Sequence, residues 1–191
     1  MTHRMRRTIE YRLAACVAAA CFAAVLGAQA PAAQTPAAQA PNWQTYTYSA
    51  DGFSASFPSN PELQKKNIPT DAGTFELRSY IGEDGEVAVF VGVTDYGAQI
   101  QGKDPNTLLQ GAKNGAMESA SAHLLREKPI TLGVYQGLEF EAESDAAHFY
   151  ARIYLVGTSL YQTLVVSPLG TPYPDTVRFL DSFQLIARTA Q

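Results

Sequence analysis

Residues 138–166 read LEFEAESDAAHFYARIYLVGTSLYQTLVV. Leu138, Phe140 and Ala142 alternate with Glu139, Glu141 and Glu143, the period of a strand with one face buried. Two turn signals, Asp145-Ala146 and Gly157-Thr158, divide the stretch, which predicts strands over 138–144, 149–156 and 160–166. Closing the first turn sets Glu143 opposite His148, Glu141 opposite Tyr150 and Glu139 opposite Arg152. Closing the second sets Arg152 opposite Thr163 and Tyr154 opposite Tyr161. Three consecutive antiparallel strands make a β-rich domain the starting point.

Working outward, the upstream sequence adds more hairpins. Tyr46, Tyr48, Phe53, Ala55 and Phe57 alternate with hydroxyl residues around Asp51-Gly52, a strong short hairpin signal. A two-residue turn there pairs Tyr48 with Ala55 and Tyr46 with Phe57. Residues 62–68, with Lys65 and Lys66 and bounded by Pro61 and Pro69, suit a guarded sheet edge. Residues 74–81 and 87–96 form a further pair, and a loop of Glu83-Asp84-Gly85 sets Ile81 opposite Val87, Leu77 opposite Val91 and Phe75 opposite Val93. Asp104-Pro105 is an N-cap followed by proline at the first helical position. Leu108, Leu109, Ala112, Ala116 and Ala120 continue at helical spacing to about Ser121. Gly111 and Gly115 are expected to let this helix dock closely on the sheet. A strand over 123–132, a short helix after Asp175 and a last strand near 183–186 complete an α+β pattern of mostly antiparallel hairpins.

The chain has 191 residues, 46% of them hydrophobic and 17% charged, enough for one globular core. Its N-terminal part reads as targeting. Arg4, Arg6, Arg7 and Arg12 precede an uncharged, Ala-rich stretch to Gly27, the pattern of a secretory signal peptide over 1–28. Residues 29–41 hold only Ala, Pro, Gln and Thr and are expected to be a linker, leaving 42–191 as the folded domain. Both cysteines, Cys16 and Cys21, fall in the first part, so disulfide scaffolds and cysteine-rich zinc sites are excluded for the domain. Leu13-Ala14-Ala15-Cys16 resembles a lipobox, which makes Cys16 a candidate acylation site, although Arg12 stands where the apolar stretch should precede the leucine.

Net charge is −4 for the chain, but residues 42–191 hold 10 basic and 17 acidic groups, about −7. That balance excludes a nucleic-acid footprint and attraction to an anionic membrane surface. His123 and His148 have no His or Cys at metal-ligand spacing, no serine lies in a G-x-S-x-G turn, and there is no P-loop or dinucleotide glycine fingerprint. No cofactor is implied. Glu139, Glu141 and Glu143 project from one face about 6.6 Å apart, within reach of paired acid–base or cation chemistry. Cross-strand pairing with His148, Tyr150 and Arg152 is the simpler account of them.

The candidate binding face is therefore Glu139, Glu141, Tyr150, Arg152, Tyr154 and Tyr161, since tyrosine with arginine is typical of recognition surfaces. If it is open, replacing Tyr154 and Tyr161 by Ala should abolish partner capture and spare the fold. The favoured alternative is that a helix covers this face and the tyrosines line its underside.

Asp51-Gly52-Phe53-Ser54-Ala55-Ser56-Phe57-Pro58, Ile130-Thr131-Leu132-Gly133 with Gly137 to Phe140, Ala151-Arg152-Ile153-Tyr154-Leu155 and Arg178-Phe179-Leu180-Asp181-Ser182-Phe183 resemble the PsbP-like proteins, including DcrB-type envelope proteins and mycobacterial lipoproteins. The resemblance spans residues 43–186. It implies an α-β-α sandwich with a central, mostly antiparallel sheet. Its members are chiefly non-enzymatic: photosystem subunits, a Ran-binding nuclear factor, effector chaperones and exported proteins. The metal sites of the photosystem members find no matching residue pattern here. The expectation is a monomeric, periplasmic or secreted binding or accessory domain that takes an envelope protein or small ligand, with no membrane insertion after cleavage. The alternatives are a metal-dependent or hydrolytic enzyme using Glu139, Glu141 or His148, and a lipid-anchored spacer.

Overall fold

The computed structural model describes residues 41–70 and 73–188, so the signal peptide, nearly all of the linker and Cys16 lie outside the described residues. Among the described residues ten strands form two antiparallel sheets. The smaller has the order β1-β2-β10, from Gln44–Tyr48, Phe53–Phe57 and Gln184–Leu185. The larger has seven strands in the order β3-β4-β5-β9-β8-β7-β6. These are β3 (Glu62–Thr70), β4 (Gly73–Asp84), β5 (Val87–Asp95), β6 (His123–Leu132), β7 (Tyr135–Glu143), β8 (Ala147–Val156) and β9 (Ser159–Pro168). Helix α1 spans Pro105–Ala120 and α2 spans Thr176–Asp181.

The 138–166 meander pairs as its alternation demands, with Glu139 opposite Arg152, Glu141 opposite Tyr150, Glu143 opposite His148 and Tyr154 opposite Tyr161. Alternation also gives the large sheet two cores. On one face Leu138, Phe140, Ile153, Leu155 and Leu160 pack with Ile100 and Leu109 beneath α1. On the other, Val89, Val91, Val93, Tyr154, Tyr161 and Val165 meet Phe53, Phe57, Phe179 and Phe183. That second face is covered mainly by the small sheet, with α2 resting on β2, β8 and β9. A mostly antiparallel, strand-rich fold with few helices is thus what the sequence builds.

Three local expectations are corrected. The Asp51-Gly52 hairpin is slipped by two residues, pairing Tyr48 with Phe53 and Tyr46 with Ala55. Asp51 is drawn inward, 6% exposed, to accept hydrogen bonds from Arg78 Nε at 2.7 Å and from the Tyr80 hydroxyl. A carboxylate held that way cannot sit at an exposed two-residue turn, and Gly52 takes φ +74 to close the longer loop. An even slip keeps every side chain on its expected face. The β4–β5 hairpin is slipped by three, with Asp84 opposite Val87 and Ile81 opposite Phe90. Its turn is Gly85-Glu86 with Gly85 at φ +61, and the odd slip brings Tyr80 opposite Val91 in place of Leu77.

The third correction concerns α1. Its N-terminus is capped as expected, Asp104 Oδ2 accepting from Thr107 N at 2.8 Å. Gly111 and Gly115 face open space, however, and do not mediate docking. The buried residues are Leu109 and Lys113, because the Lys113 ammonium reaches Glu127 on β6 and turns that side of the helix inward.

Candidate functional site

The seven-stranded sheet carries the sequence-selected residues on the face away from α1. There α2 rests on β8 and β9, and beside them β6 and β7 present a strip of alternating charge. Arg126 and Lys128 stand opposite Glu141 and Glu139, and Tyr150 and Arg152 follow on β8.

Glu139 is 8% exposed at its residue surface and is held from both sides. Lys128 Nζ lies 2.8 Å from Oε1 and Arg152 Nε donates to Oε2 at 2.7 Å. Arg152 in turn donates from Nη1 to Asp181 Oδ1 of α2 at 2.7 Å. Burial pushes the Glu139 carboxyl upward, but the hydrogen bonds and charges of Lys128 and Arg152 outweigh it and hold the group below the usual glutamate range. Burial likewise works against the Arg152 cation, and the bonds to Asp181 and Glu139 more than offset it.

Glu141 forms the next rung. Arg126 pairs with both of its oxygens, Nη2 lying 2.7 Å from Oε1, and the same nitrogen donates to the Tyr150 hydroxyl at 2.7 Å. The guanidinium also lies 5.5 Å from the centre of the Tyr150 ring. His148 Nε2 is 3.9 Å from Glu141 Oε1, beyond hydrogen-bond distance, and this buried nitrogen has no hydrogen-bond partner among the described residues. The shallow hollow over these rungs, lined by Arg126, Lys128, Glu139, Glu141 and Tyr150, holds about 100 Å³. Among the described residues no three His, Cys, Asp or Glu side chains are grouped to hold a metal ion.

Tyr154 and Tyr161 do not belong to this surface. They are 5% and 2% exposed and lie under Phe183, with ring centroids 6.0 and 5.8 Å away. The Tyr161 hydroxyl donates to the Asp51 carbonyl at 2.7 Å and accepts from Arg188 Nη2 at 2.9 Å. These two residues leave the candidate binding face: they are covered, as the favoured alternative held, but by the small sheet and the C-terminal segment in place of a helix. A double alanine variant would excavate the core, so loss of capture would report unfolding.

Sequence reasoning placed Glu139, Glu141, Tyr150 and Arg152 together and the fold does so. It missed Arg126, Lys128 and Asp181. The first two were legible, since extending the register across β6–β7 sets them opposite the glutamates. Asp181 was not, because it reaches Arg152 from a helix with no sequence-local link to β8.

Neither a protein-family model nor a curated protein sequence matches the chain. Its fold is similar to the solution structure of cyanobacterial PsbP (CyanoP) from Synechocystis sp. PCC 6803, with a TM-score of 0.53 and 11% identity, covering 82% of this chain and 99% of that one. At that identity the likeness concerns the course of the backbone alone.

Proposed function

We propose that residues 42–191 form an exported, non-catalytic binding or accessory domain of the bacterial envelope, a PsbP-like α-β-α sandwich that takes a protein or small ligand on the β6–β8 face. The observation that carries this reading is the compensation of the charges there. A general acid needs a carboxyl with a raised pKa, and a general base one poised near neutrality. Glu139 is displaced the other way by Lys128 and Arg152, and Glu141 is engaged at both oxygens by Arg126. Such a set has no activated group, but it holds Arg126 and Tyr150 in fixed positions at the surface, the residue types on which recognition relies.

Export is supported by the arginine-led apolar N-terminus, and action without a disulfide by the cysteine-free domain. The fold likeness to CyanoP carries neither a role nor a partner across.

The test is site-specific photo-crosslinking in the native envelope. A photoreactive side chain at Tyr150 should give a discrete adduct, whereas one at Lys65 on the opposite sheet edge should give none. Equal labelling from both positions would overturn the reading. So would a rise in melting temperature with a divalent cation that Glu141→Gln removes, which would assign the face to metal-dependent chemistry.

A further inference from the structure

Beside the charged strip lies a second concavity of about 190 Å³, between the ends of β7–β9 and the segment 172–177. Its walls are rings and branched aliphatic groups: Tyr150, Val165, Pro172, Tyr173, Pro174 and Val177. Glu141, His148 and Ser167 add polar edges. The outer wall is preformed. Tyr173 donates its hydroxyl to Asp84 Oδ2 at 2.8 Å, Thr176 Oγ1 donates to the Tyr173 carbonyl at 2.7 Å, and Leu169 N donates to the Ala146 carbonyl at 3.1 Å. A wall fixed in this way adds little ordering cost to binding.

Size and charge narrow the occupant. The volume is below the roughly 300–1,000 Å³ of sites that enclose drug-sized ligands, and suits one ring-bearing residue of an extended chain. Two carboxylates at the cleft are already matched: Glu141 by Arg126, and Asp175 at the adjoining helix start by Arg178 at 3.7 Å. A charged ligand would be desolvated without gaining a free counter-charge from these two pairs, and a domain near −7 repels anions in addition. Ring-lined grooves between tyrosines and prolines are the surfaces on which polyproline II segments dock, with little entropy lost because that conformation is preformed.

We propose that this cleft is the docking site for an uncharged, proline-bearing extended segment of a partner protein. It rests on the binding-domain reading above and supplies the ligand class for it. The prolyl ring lies between Tyr150 and Tyr173 against Val177, and the peptide backbone offers its polar groups to the His148 and Ser167 edge.

The experiment is a heteronuclear NMR titration of the mature chain with an acetylated, amidated Ala/Pro/Gln peptide containing two prolines. Shift changes are expected at His148, Tyr150, Tyr173 and Val177, and a peptide with both prolines replaced by Ala should bind at least tenfold more weakly. Val177 is 57% exposed, so Val177→Glu should abolish the response with the melting temperature unchanged. Tyr173→Ala should weaken binding at least tenfold. Absence of any response in the folded chain, or an equal response to the all-Ala peptide, overturns the proposal. A response that appears only once residues 29–41 are deleted would assign the cleft to the chain's own segment and overturn the partner reading. If the Tyr150 crosslink persists while the proline peptide is silent, the ligand class falls and the broader function stands.

Discussion

Glu139→Gln tests whether the central carboxylate of the strip is structural or functional. Two ionic contacts are lost. The one to Lys128 contributes little, because that ammonium is 64% exposed and surface pairs contribute about 0–1 kcal/mol. The one to Arg152, whose side chain is 19% exposed, is a charge-assisted hydrogen bond of about 1.5–3 kcal/mol. Gln retains one acceptor for Arg152, whose guanidinium also keeps Asp181, and the exposed Lys128 ammonium is left to water, so no buried cation is orphaned. The expected loss is therefore about 1–2 kcal/mol. For a domain of this size that lowers the melting temperature by about 2–8 °C.

The pH dependence gives an internal check. The folded-state pKa of Glu139 lies below its unfolded value, so the carboxylate's contribution is fully present above the ordinary glutamate range. It is lost as pH falls through the depressed folded value, where the wild-type side chain becomes a neutral acid much like Gln. Urea unfolding of both proteins at neutral and strongly acidic pH should show a gap that closes on acidification. A variant at least as stable as wild type at neutral pH would refute the reasoning. It would mean that the carboxylate is retained at a cost to the fold, as functional groups often are.

Two further perturbations test the packing that positions the site. A methyl group on Gly137 would lie 2.6 Å from the Ile153 carbonyl oxygen and 2.5 Å from the Tyr154 ring, so Gly137→Ala should cost about 1–3 kcal/mol by thermal unfolding, whereas Gly111→Ala and Gly115→Ala, which face open space in α1, should each stabilise by about 0.5–1 kcal/mol. Equal effects would contradict the placement of β7 against β8. Tyr161→Phe removes a buried donor to the Asp51 carbonyl and an acceptor for Arg188, and should cost about 1–3 kcal/mol; a neutral result in calorimetry would show that this link does not hold the hairpin to the sheet.

What the sequence by itself determined is whatever depends on neighbours along the chain. The alternation over 138–166, with turn signals at Asp145-Ala146 and Gly157-Thr158, was enough for the strands, their register and the grouping of Glu139, Glu141, Tyr150 and Arg152. Short loops leave few ways to close, and one face of each strand must be apolar. The Asp104 cap and the start of α1 were legible for the same local reason.

Tertiary structure decided what happens above the strands. Asp51 was read as a turn residue, but Arg78 and Tyr80 pull it inward and lengthen the loop. Lys113 lies outside the apolar stripe of α1, yet it is buried because Glu127 arrives from β6. Tyr154 and Tyr161 share a strand face with Tyr150 and look equivalent in sequence. Only the arrival of Phe183 and the small sheet buries two of them and leaves the third at the surface. Alternation says which side of a sheet a residue takes; which part of that side is covered depends on segments tens of residues away.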